Sequence, residues 1–148
     1  MLIDHVKALL LRDLGKLKQE IEAYRQEQNI WAVADGISNS AGNLCLHLVG
    51  NLNTFVGKEL GGTAYIRNRD LEFSSKAIPR QELIKKLNET MAVVETSLDK
   101  LSPGQLEKEF PVVVFDKPST VEYMLLHLAS HFSYHLGQVN YHRRLLDK

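Results

Sequence analysis

Ile3, Val6, Leu10, Leu14, Leu17, Ile21 and Tyr24 recur at alternating steps of three and four residues. That spacing lines one face of an α-helix with apolar side chains. Arg12, Lys16, Lys18, Glu20 and Arg25 fall on the opposite face, and the pattern predicts a first helix over about residues 3–28. The polar stretch Asp35-Gly-Ile-Ser-Asn-Ser40 offers N-caps for a second helix, from about 40 to 60. This segment carries no Lys, Arg, Asp or Glu before Lys58, which predicts a buried helix, and Gly61-Gly62 ends it. A third helix starts near Pro79, a residue favoured in a first turn, and repeats the stepping through Ile84, Leu87, Met91, Val94, Leu98 and Leu101. Ser102-Pro103-Gly104 stops it. The fourth opens at Ser119-Thr120-Val121-Glu122, where Ser119 and Glu122 have capping-box spacing, and runs to about Leu146.

Two connections lack clear periodicity. Gly61 to Ile78 is long for a link between packed helices. It reads either as a solvated loop tied down by Tyr65, Ile66 and Phe73, or as a loop bordering a binding site. Gln105 to Lys108 suits one further helical turn, and Phe110-Pro-Val-Val-Val-Phe115 suits an extended strap across one end. Four amphipathic helices without a convincing sheet predict an all-α protein, an antiparallel four-helix bundle forming one domain over residues 1–148.

Charge narrows the function classes. Lys and Arg balance Asp and Glu at 18 each, so no global field favours nucleic acid or an anionic membrane. No apolar run reaches the length of a membrane span, and the N-terminus has an early acid and no small-residue cleavage site. The single cysteine, Cys45, excludes an internal disulfide and suits a reducing cytoplasm. Between Leu44 and Leu46 it reads as a buried apolar residue rather than a reactive thiol.

Chemistry concentrates in His127-Leu-Ala-Ser-His131-Phe-Ser-Tyr-His135, which holds three of the six histidines one helical turn apart. His131 and His135 follow the seam of the fourth helix, where a buried imidazole needs a partner. His127 and His135 lie about 12 Å apart along a helix axis, too far to share one ion with bonds of about 2.0–2.1 Å. The chelating pair is therefore His127/His131 or His131/His135, and the seam favours the latter. A third ligand must come from another helix, and His47, in the charge-poor second helix, is the best placed. His5 and His142, beside charged residues, read as surface residues. No Glu follows His131, so the zinc-protease helix motif and its general base are absent.

His131-x-x-x-His135-x-Gly137-Gln138 with a lone His47 resembles the DinB-like (YfiT-like) superfamily of metalloenzymes. Asn39-Ser-x-Gly-Asn-Leu-x-Leu-His47-Leu-x-Gly-Asn51-Leu and Arg67-Asn-Arg69-Asp70-x-Glu72-Phe73 are similar to an uncharacterised bacterial subgroup of it. The resemblance spans essentially the whole chain. It implies a four-helix bundle, commonly a homodimer, with a divalent metal, usually nickel or zinc, on His47, His131 and His135. It further implies close packing at Gly137 and a ligand-orienting role for Gln138; His127 matches a frequent extra histidine. Characterised relatives include enzymes that use low-molecular-weight thiols.

Three readings follow as expectations, the third being a metal-free helical dimer whose core histidines are satisfied without an ion. In the first, the protein is a metal-dependent enzyme, a thiol S-transferase or hydrolase acting on a small-molecule thiol or electrophile. Asn43, Asn51 or Tyr134 would then support the ligands or move protons, and Arg67 and Arg69 would clamp a carboxylate if the loop covers the site. In the second, it is a non-catalytic metal-binding or stress-related homodimer. Its ion would need a fourth ligand, from Glu59 or a partner chain.

Overall fold

The computed structural model describes all 148 residues and is all-helical. Five α-helices follow in order: α1 Leu2–Ala23, α2 Ala41–Leu52, α3 Arg69–Ser74, α4 Arg80–Asp99 and α5 Val121–Leu146. α1 packs against α4 and α5, and α2 touches the same two helices. The predicted stripes are the faces that meet. Leu10, Leu14, Leu17 and Ile21 of α1 join Leu48, Leu52, Leu87, Leu98, Met124 and Phe132 in one continuous apolar core. Burying each such side chain contributes roughly 1.5–3 kcal/mol. No helix is long and apolar enough to cross a membrane.

The elements depart from the predicted ones where distant parts of the chain intervene. The first helix stops at Ala23 rather than near residue 28, because Tyr24 turns extended. Its side chain is buried with the hydroxyl 2.6 Å from His142 Nδ1, and Asp147 accepts from the Arg25 and Gln26 backbone N–H groups. A 3₁₀ turn, Glu27–Trp31, follows. The second helix is α-helical only to Leu52 and then widens into a π-turn, Asn53–Lys58. Ser40 caps its start, accepting from the Asn43 backbone N–H. In α4 the buried face begins at Leu83, with Ile84 and Met91 at its edge, and Pro79 is the N-cap rather than a first-turn residue.

The Gly61–Ile78 connection holds the short helix α3, which packs against α2. Asn68 caps it, and the Asn43 side chain binds its far end by donating to Glu72 O and Ser75 O at 2.9 and 2.8 Å. The strap forms no strand; buried Phe110 anchors it, its backbone N–H donating to Ser119 O at 2.8 Å. That bond ties Ser119 to the strap, and Thr120 instead caps α5, accepting from the Tyr123 N–H. The predicted Ser119–Glu122 capping box is therefore not formed.

Candidate metal centre

His47 projects from α2 and His131 and His135 from α5, and one ring nitrogen from each lies within 4.8 Å of the others. His47 Nε2 and His131 Nε2 are 3.3 Å apart. Two nitrogens each about 2.0–2.1 Å from a tetrahedral ion are separated by about 3.3–3.4 Å, so this pair matches one edge of such a site. Helical periodicity produces the meeting: His131 and His135 are one turn apart on the face of α5 that packs on α2, and His47 sits opposite.

Outer contacts set which nitrogen points inward. His47 Nδ1 lies 3.1 Å from Glu72 Oε1 and His135 Nδ1 lies 2.6 Å from Gln138 Oε1. A carboxylate and an amide oxygen accept, so a proton on Nδ1 of each ring satisfies these contacts and turns Nε2 toward the cluster, with Arg67 Nη2 a more distant 3.4 Å from His47 Nδ1. Glu72 is itself held by Arg67, whose Nε and Nη2 donate to its two oxygens at 2.8 and 3.0 Å. Gly50, one turn along α2 from His47, leaves the space this carboxylate fills; a Cβ there would overlap Glu72 Oε2. Phe73 covers His47 at 5.1 Å between ring centroids.

Electrostatics favour neutral imidazoles. Burial, reinforced by His135, His47, His127 and Arg67, lowers the pKa of His131 to about 4. Burial also lowers His135, against the hydrogen bond to Gln138. Burial works to raise the Glu72 pKa, but hydrogen bonds from His47 and Arg67 outweigh it and keep the carboxyl below its usual range. His131 and His135 thus favour unprotonated nitrogens, and an ionised Glu72 backs His47, a donor set that could hold a divalent metal ion.

A family model matches residues 4–148, nearly the whole chain. The chain belongs to the family described as "Protein of unknown function (DUF1572)". No curated protein matches it.

In this DUF1572 member, the three histidines singled out by spacing converge, whereas His127 does not join them. Its ring packs edge-on against Phe115 and stacks on His131, at 4.8 and 5.8 Å between centroids. His5 is exposed as expected. His142 is not a surface residue: it is buried, with Nε2 donating to Ala32 O at 2.8 Å and Nδ1 accepting from Tyr24. Cys45 is wholly buried, and burial pushes its thiol up to about 12.

Arg67 is not a free clamp, because Glu72 occupies it; Arg69 lies over Phe73 instead. Asn43 is committed to α3, Tyr134 is largely exposed, and Glu59 is not among the converging residues. Gln138 does contact His135, but a Cβ at Gly137 would meet nothing within 4 Å, so no packing within the chain requires a glycine there. The 61–78 connection borders the site through Glu72 and Phe73. Glu72 and Gly50 are the residues around the cluster that spacing missed. The available signal was chemical: a metal-ligating histidine needs an outer acceptor, and the unassigned segment beside His47 carries Asp70 and Glu72.

Proposed function

We propose that this protein is a DinB-like four-helix bundle whose His47, His131 and His135 hold a divalent ion, nickel or zinc, in a metal-dependent enzyme. The observation that carries the reading is the convergence of three ring nitrogens with outer oxygens set behind two of the rings. Glu72 and Gln138 oxygens lie 3.1 and 2.6 Å from Nδ1 of His47 and His135, placed to accept a hydrogen bond there while Nε2 faces the cluster. Helix-core histidines satisfied only by hydrogen bonds would not need three rings brought together. An ion bound there would supply Lewis acidity and lower the pKa of a coordinating nucleophile.

The surrounding residues favour thiol transfer over hydrolysis. Phe132, in the position of the metalloprotease glutamate, is fully buried. Glu72 is engaged by Arg67 and His47 and has no role left as a free base. A substrate thiol needs no separate strong base once its pKa falls, whereas water activation commonly uses one. Glu72 and Gln138 orient the ligands, and Phe73 screens His47 from water. The half-buried His131 and His135 leave the α5 side open to a small thiol and an electrophile.

We also infer a homodimer. Tyr123, Leu126, Tyr134, Tyr141 and Leu145 are exposed along one outward stripe of α5, with Ser130 and Gly137 between them. Small residues amid exposed apolar ones suit close approach of a second copy, which is where Gly137 would act as a packing residue.

The test is turnover. Zinc- or nickel-loaded protein, given a low-molecular-weight thiol and an alkyl electrophile, should consume thiol faster than the metal-free protein, and His131→Ala should abolish the difference. Equal rates for loaded, metal-free and variant protein across a thiol panel would reject the transferase reading.

A further inference from the structure

His47 and His135 each have an outer partner, but His131 Nδ1 is buried without one. Its Nε2 faces His47 Nε2, so as a ligand His131 must carry its proton on Nδ1. A buried donor left unpaired is costly, and metal-bound histidines almost always donate this proton outward.

A complementary orphan lies on the facing helix. Asn51 is 7% exposed, and its Oδ1 is buried with no partner. The register of α2 places it. Leu44 shares a cavity with Gln138 and His142 of α5; His47 meets His131 and His135; and Phe55 packs on Phe110, whose N–H binds Ser119 just before α5. Asn51 lies one α-helical turn beyond His47, near the end of α2, and so shares the helix face that carries His47 toward α5. The α2 face that meets α5 thus buries an unpaired acceptor, and α5 buries an unpaired ring nitrogen at His131.

We propose that Asn51 is the positioning residue for His131, its carboxamide oxygen accepting the Nδ1–H through one enclosed water. Such a water needs two or more polar partners, and these two atoms supply them. The inference rests on the three-histidine metal reading and completes it, giving each ligand its own outer acceptor: Glu72, Asn51 and Gln138.

The experiment measures zinc affinity by competition with a chromogenic chelator, and the Co(II) absorption spectrum, for wild type, Asn51→Leu, Asn51→Asp and Thr54→Val. Asn51→Leu should bind zinc about 10–100-fold more weakly and shift the Co(II) bands. Asn51→Asp, which keeps an acceptor, should restore affinity. Thr54→Val removes another buried unpartnered oxygen nearby on the chain and should leave affinity unchanged. Wild-type affinity in Asn51→Leu would overturn the assignment. So would equal weakening in all three variants, which would mark a packing effect. If wild type binds neither metal, the metal reading itself fails, and this inference with it.

Discussion

Gly50→Ala should destabilise this protein, although the same change in most helices does the reverse. Within α2 the substitution gains about 1 kcal/mol of helix propensity. Its Cβ, however, would overlap the Glu72 carboxylate, with Glu72 Cδ only 2.7 Å away. Glu72 can swing aside only by releasing Arg67 and His47, and both of its ion-pair partners are mostly enclosed, at 16% and 9% side-chain exposure. Breaking a buried ion pair costs at least about 3 kcal/mol, so the net loss is about 2 kcal/mol. With a slope of about 2 kcal/mol per molar urea, the unfolding midpoint falls by about 1 M. Gly15→Ala in α1 is the control, because nothing lies within 4 Å of its Cβ position; it should raise the midpoint. In a Glu72→Ala background the obstruction is gone, and Gly50→Ala should become neutral or stabilising. Stabilisation by Gly50→Ala in the wild-type background, matching Gly15→Ala, would refute the reasoning.

Two further outcomes follow. His131, His135 and His142 all have lowered pKa values, burial being the largest cause in each, with His131 at about 4. The unfolded chain therefore takes up protons first: stability is fully present above about pH 6.5 and drains as pH falls through the lowered values. Urea midpoints of metal-free protein should be flat from about pH 8 to 7 and drop from about 6.5 to 5, less steeply in His142→Gln; identical slopes would remove His142 from this account. Separately, sedimentation should show a dimer for wild type and a monomer for Gly137→Arg with zinc binding intact, whereas a monomeric wild type would refute the α5 interface.

Much of this architecture is legible in local spacing. The three-and-four stepping located the long helices and put His131 and His135 on one side of α5, half-buried at the edge of the core rather than on a fully buried seam, and the absence of charge before Lys58 marked α2 as the buried home of His47. The same stepping carries on through Val139 to His142, and following it would have placed His142 inside; its neighbours Arg143 and Arg144 point elsewhere on the helix. What spacing could not reveal depends on partners far along the chain. Tyr24 ends α1 because His142 and Asp147 hold the following turn, and Ser119 loses the cap because Phe110 takes its carbonyl. Glu72 was hidden because the segment around it has no periodicity; α3 is held by Asn43 and Arg67 rather than by an apolar stripe.

The most direct test is metal stoichiometry by elemental analysis after incubation with zinc or nickel and removal of excess, for wild type beside His47→Ala, His131→Ala and His127→Ala. The account predicts about one ion per wild-type chain and per His127→Ala chain, and loss of the ion in the other two. Wild type that retains no ion, or a site that survives His47→Ala and His131→Ala, would contradict it.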